Sequence, residues 1–138
     1  MREVFSGGCA CGAIRYEIPS EPVSQLHCQC RDCQRMSGTG HGSYLAFMGR
    51  SEVKLKGQAK HWDIVGDSGN IKTRAFCPEC GSPVYMTFSA MPDIFGVDAA
   101  SLDDPSRFNP QNVIYNSRHH VWDMLDPELP KFDKMPPR

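Results

Sequence analysis

Seven cysteines in three groups constrain this chain more than any other feature. Cys9 and Cys11 stand near the start, Cys28, Cys30 and Cys33 fall within six residues, and Cys77 and Cys80 lie past the middle. An odd number leaves a pure disulfide framework with one thiol over. Seven divides as four plus three. Four thiolates close a tetrahedral structural zinc site, whereas three leave one position open, as catalytic zinc sites do. Two partitions are open. One joins Cys9 and Cys11 to Cys77 and Cys80 and leaves Cys28, Cys30 and Cys33 as the open triad. The other is a rubredoxin-like set of Cys30, Cys33, Cys77 and Cys80, which leaves Cys9, Cys11 and Cys28.

The rest of the composition narrows the class. A chain of 138 residues suits one domain over 1–138. Apolar residues make up 40%, so metal crosslinks can supplement the core. A formal charge of -1 argues against a general nucleic-acid binder. The sequence holds no apolar run of about 18 residues, so no membrane span is expected. Residues 1–5 include Arg2 and Glu3 and no apolar segment, so no export signal is read there. The expected compartment is the reducing cytoplasm, where such cysteines are metal ligands.

Taken in order, the chain predicts short strands and many turns. Residues 13–18 read as a strand, and Gly7, Gly8 and Gly12 give the backbone the freedom to bend Cys9 and Cys11 onto one ion. Residues 23–27 are extended, and 31–37 make a helical turn or two ending near Gly38. Strands follow at 43–48 and 53–55. Residues 60–65 and 71–76 form a hairpin across Gly66-Asp67-Ser68-Gly69-Asn70. Cys77-Pro78-Glu79-Cys80-Gly81 is a zinc knuckle, with Pro78 presetting the turn and Gly81 releasing it. Strands at 83–88 and 94–98 complete the body. Residues 105–138 hold six of the eleven prolines and read as an irregular arm packed on the body, with one strand at 113–116. The fold class is mainly β: an antiparallel, zinc-stabilised domain with little helix.

Three motifs now carry a resemblance. Gly8-Cys9-Ala10-Cys11-Gly12, Cys28-Gln29-Cys30-Arg31-Asp32-Cys33 with Gly38, and Phe76-Cys77-Pro78-Glu79-Cys80-Gly81-Ser82 resemble the glutathione-dependent formaldehyde-activating enzyme family, which includes the centromere protein V type. Trp122 followed by Leu129-Pro130-Lys131-Phe132 is similar to that family's ending. Two positions depart from it. Gln29 stands where His is frequent, with His27 preceding instead, and Ser82 stands where Thr is common. The resemblance implies a β-tent fold and two zinc ions, a structural one on Cys9, Cys11, Cys77 and Cys80 and a catalytic one on Cys28, Cys30 and Cys33. It implies carbon–sulfur lyase-type activity, with glutathione and formaldehyde as prototype thiol and aldehyde. A non-enzymatic, zinc-stabilised binding module is the alternative that the centromere protein V branch implies.

The residues themselves support a soft ligand at the triad. Three thiolates on a dication leave a net charge of about -1, a weak Lewis acid suited to a substrate sulfur. Competing readings are a second structural site closed by His27 or His41, and a metal-free redox cluster. Arg31 and Arg35, four apart on a helical turn, are candidates for the carboxylates of a thiol substrate. Residues 38–42 are a candidate backbone nest, and His119 or His120 a candidate proton carrier. Met86, Phe88 and Met91 are expected in the core.

Overall fold

Glycine does not prevent a strand at the start of the chain. The structure, a computed structural model, describes residues 4–137. Met1 to Glu3, part of the segment read as lacking an export signal, and Arg138 at the end of the arm lie outside them. β1 (Phe5–Gly8) runs through both Gly7 and Gly8 and pairs antiparallel with β2 (Arg15–Ile18). The cysteine turn between them is closed by Cys9 N donating to the Ile14 carbonyl at 3.1 Å. Gly12 takes φ 82°, a conformation costly for any residue with a Cβ.

The remaining body strands follow the expected order. They are β3 (Ser24–Cys28), β4 (Gly42–Met48), β5 (Lys54–Lys56), β6 (Lys60–Val65), β7 (Ile71–Phe76), β8 (Pro83–Phe88) and β9 (Ile94–Asp98). A single α-helix, α1 (Arg31–Ser37), sits between β3 and β4, and it ends on Gly38 at φ 76°. β10 (Asn112–Ile114) lies in the arm. It stops at Ile114, short of the expected 116, because Tyr115 turns to φ 56° and leaves the extended region.

Two sheets result. A three-stranded sheet has the order β1-β2-β5, and a seven-stranded sheet has the order β10-β3-β4-β9-β8-β7-β6. The fold is mainly β, and its pairings are antiparallel except that β10 runs parallel to β3. That exception departs from a purely antiparallel expectation. It arises because the arm returns from the far end of the body before it meets β3.

Alternation along β4, and along β8 past a register shift that leaves Val84 and Tyr85 on one side, divides the core in two. Leu45, Phe47, Val84 and Tyr85 point toward the three-stranded sheet, where they meet Tyr16 and Ile18. Each fully buried side chain of this kind contributes about 1.5–3 kcal/mol. Tyr44 and Met86 point the other way and form a second cluster with Cys28, Cys33 and Ile114. Met86 is buried and Phe88 packs against this cluster, but Met91 is half exposed and lies outside the expected core. The arm lies along this side. Val113 donates to the Pro130 carbonyl and accepts from Phe132, both at 2.9 Å, and Tyr115 N donates to the Lys134 carbonyl at 3.0 Å.

Gly7 marks where β1 meets the turn that follows β9, through a bridge to Leu102. A Cβ there would overlap the Ser101 carbonyl and the Tyr16 phenol, whose hydroxyl is bonded to Ser101 Oγ at 2.7 Å. One obstacle is backbone, so it cannot swing aside. Gly7→Ala is expected to cost about 1–3 kcal/mol by overpacking. Urea denaturation should show a lower midpoint at unchanged slope. A wild-type midpoint would mean that the 99–101 turn gives way to the added methyl without cost.

Candidate metal centres

The first cluster gathers where the two sheets meet. Cys9 and Cys11 lie in the β1–β2 turn and Cys77 and Cys80 in the β7–β8 turn, with all four sulfurs within 4.8 Å of one another. Both turns are Cys-containing bends that leave through a left-handed glycine, Gly12 and Gly81. Sulfurs of Cys9 and Cys11 are 3.6 Å apart, and those of Cys11 and Cys77 are 3.7 Å apart. A tetrahedral zinc with bonds of about 2.3 Å spaces its sulfurs at about 3.8 Å, so the donor set fits that ion. Backbone amides also aim at sulfur: Ile14 N at Cys9 (3.2 Å) and Glu79 N at Cys77 (3.4 Å). Such bonds favour thiolates over thiols. Ser82 accepts from Ala10 N at 3.2 Å and lies 3.2 Å from the Cys80 sulfur, so one hydroxyl joins the two turns.

The second cluster is Cys28, Cys30 and Cys33, again within 4.8 Å of one another. Cys28 ends β3, Cys30 caps α1 and Cys33 sits in its first turn, with Cys33 N donating to Cys30 Sγ at 3.4 Å. The sulfurs thus divide as four and three along the first of the two partitions. Both clusters could hold a metal ion. No histidine or carboxylate joins the triad among the described residues. His27 bonds Ser43 at 2.8 Å, and His41 bonds Asp123 at 2.8 Å. Burial, with His41 nearby, pulls the His27 imidazole down to about 4 and keeps it neutral.

The cations beside the triad are not the expected ones. Arg31 and Arg35 each lie two residues from Cys33, about 200° round the helix, so both face away from its sulfur. Both are exposed, and Arg31 donates to Gln34 instead. Arg74 and Lys72, from β7, take the inner place. Arg74 is 1% exposed and donates through Nη2 to Cys33 Sγ at 3.3 Å and to the Tyr44 hydroxyl. Lys72 Nζ lies 4.0 Å from the same sulfur, and Asp98 Oδ2 is 3.9 Å from Arg74 Nη1. Strand alternation puts residues 72 and 74 on one face, and that was the signal available in the sequence. A solvated face is the ordinary meaning of such a pair, which hid it.

Electrostatics of the triad follow from these contacts. Hydrogen bonding from Cys28 and Cys30 draws the Cys33 thiol down to about 2, and Lys72 and Arg74 add to this against burial. Of the three sulfurs, Cys33 is the one that Lys72 and Arg74 contact. Burial and the Cys33 charge push the Tyr44 phenol far up, so it remains protonated. Burial opposes the Arg74 charge, but Tyr44, Cys33 and Asp98 outweigh it.

The other candidates serve packing and the arm. Gly40 lies against Asp123 and Gly42 lies under the Tyr44 phenol, so the 38–42 loop is shaped by close approach. Asp123 accepts from Gln29 at 3.2 Å as well as binding His41. Gln34 donates to the Gln29 and Arg118 carbonyls at 2.8 and 3.2 Å. His120 reaches Gln34 at 3.0 Å and stacks on Trp122, while His119 bonds the Asn116 carbonyl. A cleft lined by Arg50, Val53, His61 and Tyr85 touches neither cysteine cluster.

Comparison with known proteins identifies the family. The sequence signature described as "Glutathione-dependent formaldehyde-activating enzyme" matches residues 4–118. The chain belongs to the glutathione-dependent formaldehyde-activating enzyme family. A relative from Halomonas elongata, named "Putative glutathione-dependent formaldehyde-activating enzyme", is 24% identical over 115 residues, 80% of this chain and 73% of that one. A crystal structure of a Rhodobacter sphaeroides protein is similar in fold, with TM-score 0.55 and 22% identity over 71% of this chain and 87% of that one. The match for the glutathione-dependent formaldehyde-activating enzyme family takes in all seven cysteines and both cations of β7. No helix among the described residues is long and apolar enough to cross a membrane.

Two measurements check the division of the sulfurs. Zinc-replete protein prepared under reducing conditions should approach two zinc ions per chain by elemental analysis; a constant value of one would remove the four-plus-three division. Cys77→Ser should cost fold stability heavily, because structural zinc provides on the order of 10 kcal/mol of binding free energy. Cys33→Ser should lose one zinc and keep most of the fold. Equal melting temperatures for the two variants would overturn the assignment of a structural and an open site.

Proposed function

We propose that the chain is a zinc-dependent carbon–sulfur lyase-type enzyme acting on a thiol–aldehyde adduct, with S-hydroxymethylglutathione as the prototype. The observation that carries this reading is a triad of thiols that no fourth histidine, cysteine or carboxylate joins among the described residues. Cys28, Cys30 and Cys33 would hold the catalytic zinc, and Cys9, Cys11, Cys77 and Cys80 the structural one. Zinc at the triad supplies a position where a substrate thiol can bind and lose its proton.

This chain's residues prepare that position. The β3 end, the α1 cap and the first helical turn bring three sulfurs together, and Arg74, which also donates to the Tyr44 hydroxyl, donates to the Cys33 sulfur. In the forward direction a carbon–sulfur bond forms between the thiolate and the aldehyde carbon, and the former carbonyl oxygen takes a proton. Cleavage is the reverse. Holding sulfur and aldehyde together supplies much of the rate by proximity. A reducing compartment, the cytoplasm, goes with this proposal, because cysteines there serve as metal ligands rather than as disulfides.

The test uses cobalt in place of zinc. Glutathione should increase the thiolate-to-metal charge-transfer absorption, and S-methylglutathione should do so much less, since it keeps both carboxylates and loses only the ionisable sulfur. Under the same conditions, adduct formation from glutathione and formaldehyde should be faster with wild type than with Cys33→Ser. A metal-loaded triad that responds to neither ligand would reject this reading in favour of a non-enzymatic binding module.

A further inference from the structure

Arg74 is in an expensive place. Its side chain is 1% exposed, yet its Nε and Nη1 make no hydrogen bond among the described residues, and neither does Asp98 Oδ1 beside it. A buried cation with unmade bonds costs stability, and a well-packed apolar side chain would do better for the fold alone. What Arg74 does make is directional. Nη2 reaches Cys33 Sγ at 3.3 Å and the Tyr44 hydroxyl, and the guanidinium lies over the Tyr44 ring at 5.0 Å. Gly42 lets the phenol take that position, because a Cβ at 42 would overlap its hydroxyl. Lys72 aims a second cation at the same sulfur from 4.0 Å.

Charge gives this placement a purpose. A dication with three thiolates carries about -1. Asp98, next to Arg74, adds another negative charge. An incoming anionic sulfur would meet repulsion from both. Lys72 and Arg74 bring the local total to about zero. Both reach Cys33 from β7, and neither contacts the Cys28 or Cys30 sulfur in the hydrogen bonds of the described residues.

We infer that Lys72 and Arg74 are specificity-determining positioning residues: they make the three-thiolate site accept an anionic fourth ligand in preference to a neutral one. This rests on the triad binding a metal as proposed above, but not on glutathione being the substrate. It separates two kinds of recognition. Lys72 and Arg74, which reach Cys33 from β7, act on the anionic sulfur, whereas Arg31 and Arg35 remain candidates for the carboxylates of a thiol substrate.

The test uses cobalt-substituted protein with azide as the anionic probe and imidazole as the neutral one, each titrated by visible absorption. Wild type should favour azide over imidazole. Lys72→Met, at a half-buried position, should weaken azide binding roughly tenfold and leave imidazole nearly unchanged. Arg74→Met should do the same more strongly, and Arg74→Lys should restore the preference by returning the charge. An azide-to-imidazole ratio in Lys72→Met equal to that of wild type overturns the inference even if Arg74→Met fails to fold. Failure of wild type to take up azide overturns it too. Azide discrimination without any response to glutathione supports the charge assignment and rejects only the substrate proposed above.

Discussion

The four-thiol cluster is the constraint on which the two sheets depend. Cys9 and Cys11 belong to the turn that joins β1 to β2, and Cys77 and Cys80 to the turn that joins β7 to β8. Each sheet therefore contributes one pair. Cys11 and Cys77 are 66 positions apart, so one ion held there would close a long loop and remove much entropy from the unfolded chain. Three-stranded sheets as small as β1-β2-β5 bury little by themselves. Crosslinking to the larger sheet fixes the separation at which Tyr16, Ile18, Leu45 and Phe47 can interdigitate.

The triad lies on the opposite face of the larger sheet and obeys a different logic. Its sulfurs are local, within one strand end and one helical turn, so the chain needs no long-range closure to gather them. Long-range structure instead supplies their surroundings. β7 brings two cations, β4 brings Tyr44, β9 brings Asp98, and the arm brings Ile114, Tyr115 and Phe132. A cluster written in six consecutive residues is thus tuned by parts of the chain far from it in sequence.

That division decides what sequence alone reveals. Cys-x-Cys and Cys-x-x-Cys spacings, a helix between Cys30 and Gly38, and β-formers bounded by Gly and Pro are local, and they are legible. β1 is not, because Phe-Ser-Gly-Gly lacks the usual strand composition and its pairing comes from β2. Arg74 is not, because burial of a charged residue depends on which face of β7 the triad occupies. β10 is legible as a strand near Val113, but its parallel partner and its end at Tyr115 depend on the route of the whole arm. Arg31 and Arg35 share one helical face, as their spacing predicts, but which way that face turns relative to Cys33 is not legible from the spacing alone.

The parallel pairing of β10 with β3 also sets an order of events during synthesis. β3 and α1 are made before the arm, with three sulfurs and one strand edge. Gln29 N waits for the Ile114 carbonyl, and Gln25 receives its bonds from residues 109 and 111. Until the arm emerges, that edge has no neighbour and can pair with another nascent chain. The arm, made after β3, is therefore the part that takes this edge out of circulation.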